Sequence, residues 1–290
     1  MNTEVSLPLV APQRTLRQRL GRYVFLALFS GGLLLALVLG WRHVTRPLPT
    51  MSLVFAADIE GRQRQLITEV FLPPTATSGP MRRPAVILLH GIEGATRYRD
   101  SRYRTAHRLR AEGYAVFIVH YFGAVDYEDL WKFKPDRSLD HEAIERQRLA
   151  DQTKWVAAVT SAIREIAQRD DIDPQRIAID GYSLGGFIAL SAVQDALEDP
   201  ATPDVRCVVC NWGAMFRGEQ FSPGYPPTLL VHGEKDNIVE LKWALLTRDA
   251  LVKVSEDVRL HVILDQEHMA SSAESERLTQ EFLAKHLQDN

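Results

Sequence analysis

From residue 50 to the end of the chain, short apolar runs alternate with longer stretches of helical spacing. That alternation leaves few folds open. Strands are expected at Ala85–Leu89, Ala115–His120, Arg176–Asp180, Val205–Cys210, Thr228–Val231 and Leu260–Leu264. Helices are expected at Ser101–Glu112, Ala143–Arg169, Leu184–Ala196, Val239–Val254 and Glu274–Gln288. Ala85–Leu89 has no polar residue, as a strand buried on both faces requires. Strand and helix in turn imply right-handed crossovers and a mostly parallel sheet with helices on both faces. Ahead of this, Ser52–Ala57 and Gln65–Leu72 read as an antiparallel pair turning near Glu60 and Gly61. Gly113 suits the C-terminal cap of the first helix.

The first fifty residues are of another kind. Residues 23–41 form a run of nineteen without a charge. As a helix it is roughly 28 Å long, close to the thickness of a bilayer core. Arg14, Arg17, Arg19 and Arg22 precede it, opposed by Glu4 alone, which favours a cytoplasmic N-terminus and a translocated C-terminal part. A cleaved signal would have a shorter apolar region ending in small residues. A buried soluble helix would show a polar face. The organisation expected is a basic segment at 1–22, a transmembrane anchor at 23–41, a linker at 42–50 and one domain at 51–290. That domain would lie outside the cytoplasm.

Charge supports that division. The whole chain carries 34 Lys+Arg against 37 Asp+Glu. Without residues 1–50, 28 positive and 36 negative charges remain, a net −8. An acidic domain argues against nucleic acid as a partner. The 2 cysteines, Cys207 and Cys210, fall in one expected strand. Residues three apart face opposite sides of a strand, so a disulfide between them is not expected.

Three loops carry the chemistry. Gly181-Tyr182-Ser183-Leu184-Gly185 fits G-x-S-x-G between a strand and an apolar helix, the setting of a sharp turn that exposes a nucleophilic serine. A helix begins just after Ser183, and its N-terminus favours developing negative charge. A serine needs a base, and in this arrangement the order is nucleophile, acid, histidine. Asp236 follows the strand Thr228–Val231 and is the expected acid, with Glu234 as the alternative. His268 follows the last strand and is the expected base. His90-Gly91-Ile92-Glu93-Gly94 follows Ala85–Leu89. The expected oxyanion donors are the backbone N–H groups of Ile92 and Leu184. The side chain of His90 is expected to be structural. Tyr121, Phe122, Trp212 and Phe216 leave the carboxyl ends of strands and are candidate pocket walls, along with Tyr127, Trp131, Phe133, Met215, Phe221 and Tyr225. No spacing of His, Cys, Asp and Glu suits a metal, and no cofactor is expected.

These residues resemble the α/β-hydrolase superfamily, and more narrowly the dienelactone hydrolase family. The resemblance rests on HGIEG at 90–94, VHYFG at 119–123, DPQRIAIDGYSLGG at 173–186, HGEKD at 232–236 and EH at 267–268. It implies hydrolysis of a small-molecule acyl substrate. Two departures bear on substrate. The family's founding members use a cysteine where this chain has Ser183. They also place an arginine soon after the histidine, where this chain has Met269, Ala270, Ser271 and Ser272. An ester, lactone or thioester is therefore expected rather than an anionic dienelactone. The alternatives are a peptidase of prolyl-oligopeptidase type and a non-catalytic binding protein on the same fold.

Overall fold

The structure is a computed structural model that describes residues 48–59, 61–74, 82–122, 141–268 and 272–288. The chain divides between Pro47 and Leu48, and all described residues belong to the second part. The expected basic segment, the anchor at 23–41 and most of the linker thus lie outside the described residues. Among the described residues no helix is long and apolar enough to cross a membrane.

Among the described residues eight strands form one sheet. They are β1 (Met51–Ile59), β2 (Arg62–Phe71), β3 (Arg83–Leu89), β4 (Ala115–Val119), β5 (Ile172–Tyr182), β6 (Cys207–Asn211), β7 (Thr228–Gly233) and β8 (Val258–Ile263). Their order across the sheet is β1-β2-β4-β3-β5-β6-β7-β8. β1 pairs antiparallel with β2, and β2 antiparallel with β4. Every other neighbour is parallel. The helices among the described residues are α1 (Arg99–Ala111), α2 (His141–Ala167), α3 (Leu184–Glu198), α4 (Leu241–Leu251) and α5 (Ala273–Leu287).

Side chains of the central strands alternate between two cores. Ala85, Ile87 and Leu89 join Trp155, Val159, Ile163 and Ile166 of α2 and Ile188, Leu190 and Val193 of α3 on one face. Val86 and Leu88 join Tyr103, Ala106 and Leu109 of α1 and Phe282, Leu283 and Leu287 of α5 on the other. The two cysteines obey the same alternation. Cys207 packs with α1 and α5, Cys210 with α2 and α3, and both are free thiols. Burial of each Val or Leu side chain in such layers contributes about 1.5–3 kcal/mol.

Boundaries move where pairing overrides local pattern. β5 starts at Ile172, because Ile172 pairs with Arg83 before the register shifts. β6 runs through Asn211, which pairs with Tyr182 and Val231 in a parallel ladder. Gly113 does follow α1, with φ of 97°. Ser272 caps α5, accepting from the Ser275 N–H.

Candidate active site

The site begins with a turn that only small residues permit. β5 ends at Tyr182 and α3 begins at Leu184, leaving Ser183 alone to reverse the chain. Its backbone sits at φ 50°, ψ −121°, an unfavourable region for a residue with a Cβ. Hydrogen bonds hold it there. Ser183 N–H donates to the Asn211 carbonyl at 2.8 Å, and Gly186 N–H donates to the Ser183 carbonyl at 2.8 Å. A Cβ on Gly185 would lie 2.6 Å from the carbonyl oxygens of both Leu89 and His90, so the loop after β3 can only close over glycine. Gly181 is likewise tight against the Gly185 backbone.

The three residues expected from three separate loops meet. The Ser183 hydroxyl lies 2.9 Å from His268 Nε2. His268 Nδ1 lies 2.7 Å from Asp236 Oδ2. With Nδ1–H donating to the carboxylate, Nε2 is left to accept the serine proton. The other carboxylate oxygen, Asp236 Oδ1, accepts from Ile238 N–H and Val239 N–H, each at 2.9 Å. A buried carboxylate fixed by two amides presents its second oxygen to the imidazole in one orientation. His232 lies 3.4 Å from that second oxygen and donates its Nε2–H to the Val239 carbonyl at 2.6 Å. Burial holds the His232 imidazole below its ordinary value, which keeps it neutral.

The acid and histidine loops fasten each other. Lys235 N–H donates to the Gln266 carbonyl at 2.8 Å, and Asp265 N–H to Glu234 Oε2 at 3.0 Å. Glu234, the alternative acid, is thus placed as a brace between loops, and the carboxylate on His268 is that of Asp236. Trp212 completes the brace, its indole N–H donating to the Glu267 carbonyl at 3.2 Å.

Leu184 is the first residue of α3, directly after Ser183, and Ile92 lies in the turn that follows β3. That turn passes close to the serine, since a Cβ on Gly91 would be 3.3 Å from Ser183 Cβ. His90 is fully buried, stacked on Tyr121 with ring centroids 4.1 Å apart. Its Nδ1–H donates to the Gly91 carbonyl at 2.8 Å, and burial lowers its pKa to about 3. It is a neutral structural imidazole, as its position suggested.

The pocket walls need correction. Trp212 is 0% exposed and Tyr121 2%, so these two pack beneath the loops, while Phe122, at 7%, is as buried as Ser183 itself. Tyr121 donates its hydroxyl to the His90 carbonyl, and Phe122 packs on Trp155 with centroids 4.9 Å apart. Tyr225 is buried in the same way, its hydroxyl bound to the Leu190 carbonyl. Phe216 is partly buried, its ring centroid 5.1 Å from that of Phe187 at the start of α3. Tyr127, Trp131 and Phe133 lie outside the described residues.

Sequence reasoning missed Asn211. Its backbone carbonyl holds Ser183 N–H, while its side-chain Nδ2 donates to Asp180 at 2.8 Å. It missed Arg102 as well, whose guanidinium binds Glu93 Oε1 at 3.0 Å beside the loop of Ile92. An asparagine ending a strand and an arginine in a helix's first turn carry no distinguishing local pattern.

Comparison with known proteins identifies the family and the fold. Residues 70–285 match the model of the dienelactone hydrolase family. The quorum-quenching protein AidA of Acinetobacter baumannii is 35% identical over 119 residues, which is 40% of this chain and 32% of that protein. The chain thus matches only about a third of the length of that curated relative. The apo form of Thermogutta terrifontis esterase 2 superposes with a TM-score of 0.60 at 17% identity, covering 85% of this chain and 99% of the other. Its propionate-bound form gives 0.56 at 17% identity, over 82% and 96% of the two chains. At such identities these likenesses establish the α/β-hydrolase fold. The family match runs from the end of β2 to the last helix and spans every loop of the site, and the chain accordingly belongs to the dienelactone hydrolase family of hydrolases.

Proposed function

We propose that this protein is a serine hydrolase that cleaves an ester, lactone or thioester through an acyl-enzyme. The observation that carries this reading is the continuous hydrogen-bonded line from Ser183 through His268 to Asp236. His268 Nε2 takes the proton of the Ser183 hydroxyl as Oγ attacks the acyl carbonyl. Asp236 keeps the imidazole oriented and stabilises its charged form. The carbonyl π electrons move to oxygen, and that oxyanion is held by the N–H groups of Ile92 and Leu184, each worth on the order of 3 kcal/mol. The tetrahedral adduct collapses, and His268 returns the proton to the leaving alcohol or thiol. Water then attacks the acyl-enzyme with His268 again as base, restoring Ser183 and releasing the acid.

The absence of an arginine among Met269, Ala270, Ser271 and Ser272 favours a neutral acyl group over an anionic lactone. A structural neighbour named for bound propionate favours short acyl esters within that range. The uncharged run at 23–41 serves as a membrane anchor holding the domain outside the cytoplasm, a reading supported by the arginines ahead of it. A panel of short acyl esters, lactones and thioesters, assayed on wild type and Ser183→Ala, tests the reaction class. Turnover of at least one substrate class by wild type, abolished in Ser183→Ala, is the expected result. Equal rates for the two proteins would exclude the mechanism.

A further inference from the structure

The loop that follows β3 has no regular secondary structure, yet it must present a backbone N–H to the reacting carbonyl. Such precision requires something to hold it. A partly buried ion pair does so. The side chains of Glu93 and Arg102 are only 10% and 12% exposed and meet at 3.0 Å. Glu93 Oε1 also accepts from Gly91 N–H at 3.3 Å. Arg102 spreads its other donors along the same loop, bonding the Gly94 carbonyl at 2.7 Å and the Arg97 carbonyl as well. Gly94 N–H closes the turn onto the Gly91 carbonyl at 3.1 Å. The residues tied on either side of Ile92 are therefore bound to one guanidinium, directly or through Glu93.

That guanidinium is itself rigidly mounted. Arg102 lies in the first turn of α1, next to Tyr103, and α1 is anchored in the core through Tyr103, Ala106 and Leu109. The carboxylate is close to the chemistry. A Cβ added to Gly91 would collide with Glu93 Oε2 and touch Ser183 Cβ at 3.3 Å. An unpaired negative charge at that place would oppose the oxyanion that forms when Ser183 attacks. Arg102 cancels that charge. Arginine suits this role because its planar fork satisfies a carboxylate and backbone carbonyls together, and a lysine cannot span them.

We propose that the Glu93–Arg102 ion pair is a positioning device for the oxyanion donor at Ile92, acting on the transition state through the loop and not through contact with substrate. The proposal rests on the serine hydrolase reading given above. Its signature is a fall in kcat with little change in KM, because only an interaction made in the transition state is lost.

The test compares wild type, Arg102→Met, Arg102→Lys and the double variant Glu93→Gln/Arg102→Met on one p-nitrophenyl ester accepted by wild type. Each is also titrated with a trifluoromethyl ketone, whose serine adduct carries an oxyanion. Arg102→Met is expected to lower kcat about 100-fold, within the range for loss of one oxyanion donor, while KM stays within about threefold. Affinity for the ketone should fall in parallel. The double variant should recover roughly tenfold of the loss, since it removes the stranded charge. Should Arg102→Met not fold, Arg102→Lys carries the test, with an expected loss of about tenfold in kcat alone. Wild-type kcat in the arginine variant that folds would overturn the proposal, as would a loss confined to KM. A wild-type protein inactive toward every ester would instead overturn the underlying mechanism, so the two failures are distinct.

Discussion

The backbone at Ser183 yields a prediction about stability that is independent of activity. A residue with a Cβ held at φ 50°, ψ −121° costs about 1–3 kcal/mol, and the fold bears that cost where the hydroxyl meets His268. Ser183→Ala and Ser183→Gly both delete Oγ and its bond to His268, so comparing the two variants cancels that loss. Alanine keeps the strain. Glycine relieves it, but gives back about 0.5–1 kcal/mol through the greater freedom of its unfolded chain. The difference should leave Ser183→Gly more stable than Ser183→Ala by about 1 kcal/mol. For a domain of this size that corresponds to roughly 2–4 °C in Tm. Urea unfolding and calorimetry of the two inactive variants measure it directly. A glycine variant equal to or less stable than the alanine variant would refute the claim that the elbow stores strain.

Two further outcomes follow from buried groups near the site. Burial pushes the Asp180 carboxyl up to about 6 despite the hydrogen bond from Asn211, so its folded pKa exceeds its unfolded value. Its contribution to stability is present below about pH 4 and is lost as pH rises through about 6. Asp180→Asn keeps an acceptor for Asn211 without the charge, and should gain on wild type by on the order of 2–3 kcal/mol between about pH 4 and 8. Denaturant melts across that range showing a constant difference would contradict this. Trp212→Phe loses the N–H bonded to the Glu267 carbonyl and leaves a gap in a fully buried site. It should lose about 1–3 kcal/mol of stability and several-fold in kcat, because the freed carbonyl immediately precedes His268. Unchanged melting and turnover would show that the brace is dispensable.

Much of this molecule is legible in its sequence because local pattern and global fold agree. The run Ala85–Leu89 reads as a doubly buried strand, and its side chains divide between two cores. Ser183, Asp236 and His268 were identifiable because each follows a strand, and parallel strands deliver all such loops to one edge of the sheet. The pocket aromatics were misread for the same reason. Loop position places Trp212 and Tyr121 near the site, but whether a ring turns toward ligand or core depends on packing that no spacing encodes. Arg102 was invisible because arginine in a helix's first turn ordinarily faces solvent. Its role exists only once the Gly91–Tyr98 turn folds back over α1. Asn211 looked like the end of an apolar run, and its place in β6 is set by pairing with Tyr182 and Val231.

The central claim is that Ser183 is a nucleophile activated by His268. A fluorophosphonate probe tests it most directly, since it forms a stable bond with a serine only where that serine is activated. Wild type incubated with the probe should gain one phosphonyl group by intact mass, located by peptide mapping to Ser183. Ser183→Ala should gain none, and His268→Ala should react at least about 100-fold more slowly. Labelling of Ser183→Ala at the wild-type rate, or no labelling of folded wild type, would contradict the account.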